Sequence, residues 1–119
     1  MATRSTVAKV NEDGTVTQIY IHWNGDLEGV GAELLENYNT PQEIDALLAD
    51  GDHSELCNTP VSYRSRGYSD VDARSFFDRQ AYLAQGQAEE FNYLYSNGVW
   101  RVSRNGLHRF RKYNVKETA

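Results

Sequence analysis

Alternating apolar and polar residues near each end of the chain predict two β-hairpins. Thr3 to Val10 and Thr15 to Trp23 are rich in β-branched and aromatic residues, with the turn pair Asp13-Gly14 between them. With those two residues as the loop, Ala8 faces Ile19, Thr6 faces Ile21 and Val10 faces Thr17. Opposed residues share a face, so Ala8, Val10, Ile19 and Ile21 gather on one side with Trp23. Ser5, Val7, Lys9, Gln18, Tyr20 and His22 gather on the other, half-polar side, which predicts an antiparallel sheet covered on one face. The second hairpin joins Phe91–Tyr95 to Val99–Arg104 through Asn97-Gly98. A type I′ turn there sets Tyr95 opposite Trp100 and Tyr93 opposite Val102, with Phe91 on the same aromatic face. Asn92, Leu94, Arg101 and Ser103 fall on the other face.

Between the hairpins the period changes. Val30, Leu34, Leu35 and Tyr38 form one stripe of a short amphipathic helix. Thr40-Pro41-Gln42-Glu43 reads as a capping box with proline in the first helical position. Ile44, Leu47 and Leu48 supply that second helix with its stripe, and Gly51 stops it. Residues 52–72 carry few regular signals, though Val61 to Tyr63 has the residues of a short strand. A third helix is predicted over Phe76 to Gln85, with Ser75 and Asp78 as the capping pair and Gly86 as the stop. Leu107 to Val115 is a basic tail with the makings of one more strand. The fold class is therefore α+β: two antiparallel hairpins forming a sheet, with two to three short helices on one face.

Composition adds boundaries. The chain has 119 residues, 39% hydrophobic and 24% charged, which suits one domain over residues 1–119 with a packed core. A single cysteine, Cys57, rules out an intramolecular disulfide and points to a reducing compartment. With no apolar leader or membrane-length stretch, the expected setting is the cytoplasm. The net charge of −5 is unevenly spread. Residues 1–60 carry eleven acids against Arg4 and Lys9; residues 61–119 carry ten Lys and Arg against six acids. Glu28, Glu33, Glu36, Glu43, Asp45 and Asp50 fall on the two central helices. They make either a negative partner-binding surface or two solvated helix faces.

Chemically able groups are densest at Tyr20-Ile21-His22-Trp23-Asn24-Gly25-Asp26. A strand ending in a turn places polar side chains at a sheet edge, where sites commonly form. Tyr20, His22, Trp23, Asn24 and Asp26 are the candidate site, with His22 as general base and Asp26 as its orienting carboxylate. The competing reading is a surface strand residue followed by a plain turn. No catalytic motif stands out. His22, His53 and His108 lack metal-ligand spacing, so no metal or cofactor is expected. Asp50-Gly51-Asp52-His53 lacks the alternating acids and closing Glu of a calcium loop. Gly25, Gly29 and Gly31 lack the Lys-Ser/Thr of a phosphate loop. The basic tail, with Arg109, Arg111 and Lys112 beside Phe110 and Tyr113, is an alternative nucleic-acid surface, which the acidic whole opposes.

The segments Asn11-Glu12-Asp13-Gly14, Ile19-Tyr20-Ile21-His22-Trp23-Asn24-Gly25 and Val30-Gly31 with Leu34-Leu35 resemble a family of small phage and prophage proteins without assigned function. Asn92-Tyr93-Leu94-Tyr95 is similar to their later hairpin. The likeness covers roughly the first fifty residues well and the rest loosely. Asn24 stands where Asp is the expected residue, which weakens an acid–base role there. The resemblance implies a virus-encoded accessory protein of the host cytoplasm that binds a host protein, such as a defence component (a CRISPR effector, for example) or a host enzyme. A small enzyme or ligand-binding domain using the His22–Asp26 junction is the alternative from the residues themselves.

Overall fold

The computed structural model describes residues 3–57, 59–86, 89–104 and 111–112. Both hairpins are present, as β1 (Ser5–Val10) with β2 (Val16–Ile21), and β6 (Phe91–Ser96) with β7 (Val99–Arg104). They join through β1 and β6, which run parallel, so the sheet is mixed rather than antiparallel throughout. Short strands extend it: β3 (His53–Glu55) and β4 (Val61–Ser62) beyond β2, and β8 (Arg111–Lys112) beyond β7. A further strand, β5 (Arg74–Phe76), pairs with the first half of β2, on the edge whose far end takes β3. The chain is α+β, as expected.

The second hairpin has the predicted register. Tyr95 opposes Trp100 and Tyr93 opposes Val102, and Asn97 and Gly98 both carry positive φ, 52° and 76°. A side chain added at Gly98 would meet nothing within 4 Å, so its role is conformational. Gly98→Val is therefore expected to cost about 2 kcal/mol, the left-handed penalty for a β-branched residue, read as a lower thermal midpoint. An unchanged midpoint would refute the turn assignment.

The first hairpin is one residue out of the predicted register. Val7 opposes Ile19 and Ser5 opposes Ile21, because the loop holds three residues rather than two. The Gly14 amide donates to Asn11 O and the Asn11 amide to Thr15 O, with Gly14 at φ 90°. This is a type I turn closed by a left-handed glycine, and Asp13 secures it by accepting from the Thr15 amide and hydroxyl. The slip moves every β1 side chain to the opposite face relative to β2. Ala8 and Val10 thus leave Ile19 and Ile21, and Val7 joins them.

Both faces of the sheet are covered, which corrects the expectation of helices on one side. Val7, Ile19, Ile21, Phe91, Tyr93, Tyr95, Trp100 and Val102 form the larger core. Onto it pack a wide helical turn (Leu27–Gly31) leading into α1 (Ala32–Asn37), then α2 (Pro41–Ala49), through Val30, Leu34, Ile44, Leu47 and Leu48. Each fully buried aliphatic side chain here contributes on the order of 1.5–3 kcal/mol. On the reverse face α3 (Arg79–Gln85) lays Tyr82 over Ala8, Val16 and Leu94. The predicted capping box of α2 is present in full: Thr40 Oγ1 accepts from the Glu43 amide while Glu43 accepts from the Thr40 amide. The third helix is shorter than its pattern, because Ser75 and Phe76 belong to β5 and Asp78 alone caps it. Trp23, expected in the core, is 41% exposed.

Candidate functional site

Alternation along β2 puts Tyr20 and the following His22 on the reverse face. The apolar row there, Ala8 and Leu94, lies under α3. The next row is polar across four strands, because register aligns Tyr20 with Thr6, Thr6 with Asn92 and Asn92 with Ser103. Thr6 Oγ1 donates to Asn92 Oδ1 at 2.8 Å, and Asn92 Nδ2 donates to Glu89 O. Tyr20 is half-buried, and burial pushes its phenol above the ordinary tyrosine range. Arg4 opposes that shift; Glu89, Tyr63 and Asp52 add to it.

Tyr20 Oη lies 2.7 Å from His22 Nδ1. The bond runs from the phenol O–H to Nδ1 in one imidazole tautomer and from Nδ1–H to the phenol oxygen in the other. Either way Nδ1 is engaged, and Nε2 is the ring nitrogen left to meet a ligand. The Trp23 and His22 rings also meet edge to face, with 4.8 Å between centroids.

Asn24 turns the chain, at φ 57°. Its carbonyl accepts from the Val30 amide, and Gly25 O accepts from Tyr93 Oη at 2.8 Å. The junction is thereby fastened to the main core. Asp26 O accepts from the Gly29 and Gly31 amides, while the Asp26 side chain makes no capping bond. Its charge is felt by Cys57, on the helical side. Among the described residues no hydrogen bond or ion pair joins His22 to Asp26. The pairing that the junction does create is His22 with Tyr20, near Arg4 and Glu89. Sequence reasoning passed over Arg4, Thr6, Asn92 and Glu89 because their common face depends on the parallel β1–β6 pairing, which has no local signal.

The acidic residues share one side. Because α1 and α2 press their stripes into the same core, Glu28, Glu36, Glu43, Asp45 and Asp50 stand exposed, with Glu33 half-buried. Glu43 is held by the capping box, Glu33 accepts from Asn37 Nδ2, and Asp45 accepts from Lys9 Nζ at 2.7 Å. Asp50 lies 3.8 Å from His53 Nε2. Burial raises the Cys57 thiol, and Glu33, Asp26 and Glu55 raise it further, so it stays protonated and is a poor nucleophile at neutral pH. Tyr38 is raised by burial, then by Glu33 and Glu43. Glu33 bears on both groups.

Arg109 lies outside the described residues, and Arg111 and Lys112 form β8. Among the described residues no cluster of His, Cys, Asp and Glu is arranged to hold a metal ion, and no helix is long and apolar enough to cross a membrane. No family model, no curated protein and no solved structure matches the chain.

Proposed function

We propose that this chain is a phage-encoded accessory protein of the host cytoplasm that binds a host protein through its acidic helical side, in the manner of an inhibitor of a defence system such as a CRISPR effector. The packing of α1, α2 and the turn before them on one sheet face supports this reading most directly, since these elements leave Glu28, Glu36, Glu43, Asp45 and Asp50 exposed on that side of the sheet. A partner that handles nucleic acid is the fitting class, because its basic surface complements this one. The Glu28 and Glu36 side chains make no hydrogen bond or ion pair among the described residues, and both are exposed, so reversing them leaves the fold intact.

Capture from bacterial lysate supplies the partner, and association kinetics then test the surface. Glu28→Lys with Glu36→Lys is expected to slow association about tenfold while dissociation changes little. Added salt should weaken the wild-type complex, since exposed charges are screened within about 10 Å at 0.1 M. An association rate indifferent to both reversals and salt would reduce the acidic side to a solubilising role. Binding that improves on reversal and vanishes when Arg109, Arg111 and Lys112 are neutralised would instead support the nucleic-acid tail.

A second reading rests on the 2.7 Å Tyr20–His22 bond, which engages Nδ1 and leaves His22 Nε2 to meet a polar ligand at the edge of the polar row. His22→Ala should abolish such binding; retained binding of every captured ligand would remove it from consideration.

A further inference from the structure

The two hairpins leave the parallel β1–β6 pair in opposite directions, β1 turning toward β2 and β6 toward β7. Their turns diverge, and a gap opens at the carboxyl ends of the two parallel strands. Crevices form at this place in sheets whose connections part company. Here the gap is a cleft of about 310 Å³, lined by Lys9, Asn11 and Glu12 from one turn, Tyr95, Ser96 and Asn97 from the other, and Pro41 at the start of α2.

Lys9 is the unusual member. It is 9% exposed, and its ammonium donates to Asp45 Oδ1 but to no other acceptor among the described residues. An ammonium has three N–H donors, so two of them remain for water or for a ligand in the cleft. Tyr95, directly opposite Lys9 in the parallel pair, is 8% exposed and its hydroxyl likewise has no hydrogen bond among the described residues. Both residues line the cleft and carry N–H or O–H donors with no protein acceptor but Asp45 among the described residues. The lining also carries the opposite sign, since Glu12 is an exposed carboxylate, and the exposed Asp45 is bound to the Lys9 ammonium.

We propose that this cleft binds a small zwitterion carrying a carboxylate and an ammonium, of the free amino-acid class. The carboxylate takes the spare N–H groups of Lys9 and the Tyr95 hydroxyl. The ammonium faces Glu12, and Val10 and Pro41 accommodate a short apolar side chain. A bare carboxylate would meet Glu12 without compensation, and a bare amine would meet Lys9. The volume sits at the small end of ligand pockets and suits such a molecule.

The test is an amide-shift titration of the whole protein with alanine, acetate and ethylammonium as separate probes. Alanine is expected to give saturable shifts at Asn11, Glu12, Ser96 and Asn97, to bind about threefold tighter than acetate, and ethylammonium to give none. Lys9→Met should abolish both alanine and acetate binding, and Lys9→Arg should retain them. Glu12→Gln, at an exposed position that leaves the fold undisturbed, should erase the preference for alanine over acetate. No saturable shift with alanine in the wild type, or binding that survives Lys9→Met, overturns the site. Equal affinity for alanine and acetate in the wild type overturns its zwitterionic character.

Discussion

Asp52→Ala is expected to cost about 3 kcal/mol of stability, the penalty typical of removing one partner from a largely buried charged network. Asp52 follows the glycine stop of α2, in the stretch with fewest sequence signals, and is buried. Its Oδ1 accepts from the Tyr20 amide at 2.8 Å, and Arg74 reaches its Oδ2 at 3.1 Å. Its main chain takes part too: the Asp52 amide donates to Val71 O, and its carbonyl accepts from the Tyr63 amide. This one residue therefore ties β2 to β5 and to the segment between β4 and β5. The substitution leaves the Tyr20 amide without its acceptor, where β2 passes from pairing with β5 to pairing with β3. Arg74→Ala should cost under about 1 kcal/mol, because half of that side chain is in water and surface pairs contribute little. Asp52→Asn should fall between, since an amide oxygen still accepts from Tyr20. The measurement is the urea midpoint at constant slope. A loss for Arg74→Ala equal to that for Asp52→Ala would place the stabilisation in the ion pair rather than in the strand junction.

The same residue shows where a chain like this is legible. The second hairpin could be read because Asn97-Gly98 and the alternation of Tyr93, Tyr95, Trp100 and Val102 specify one register independently. Helix α2 could be read because Thr40, Pro41 and Glu43 satisfy its first turn locally. In the first hairpin the cue was real but counted one residue short. Asp13-Gly14 serves equally as a two-residue loop or as the end of a three-residue one, and only the packing of Val7 against Ile19 decides. What escaped the sequence is what lies far apart along it. The parallel pairing of β1 with β6 spans most of the chain, and β3 and β5 are three-residue strands that exist because β2 offers an open edge. Tyr20 and His22 were found because they are neighbours on one strand. Arg4 and Glu89 join them only through tertiary pairing. Asp26, adjacent in sequence, sits instead among the acids of the helical side. The acidic helices could be read as charged elements, but their sharing of one side follows from the common core.

Alkaline unfolding should begin near the ordinary tyrosine pKa, with Tyr82 as a principal cause. Tyr82 is wholly buried under α3, and burial drives its phenol far above the usual range, with Thr6, Arg79 and Gln18 only partly opposing the shift. The folded-state value is thus above the unfolded one of about 10. Below pH 10 both states keep the proton and the contribution to stability is fully present. As pH rises past 10 the unfolded chain releases the proton and the folded one retains it, so stability falls by up to about 1.4 kcal/mol per pH unit for this group. Tyr20 and Tyr38 are raised as well, and being half-exposed they add smaller losses of the same sign. Several tyrosines contribute in the same range, so the share of Tyr82 must be isolated by substitution. Tyr82→Phe removes a hydroxyl set beside Thr6 and Gln18 and is expected to cost about 1 kcal/mol at neutral pH. Above pH 10 that variant should lose stability less steeply than the wild type, and the two urea midpoints should converge as pH rises. Phenolate absorbance followed through the transition should show at least one tyrosine ionising only as the protein unfolds. Parallel midpoint curves for the two proteins would mean that Tyr82 titrates in the folded state, and that α3 opens locally before the sheet does.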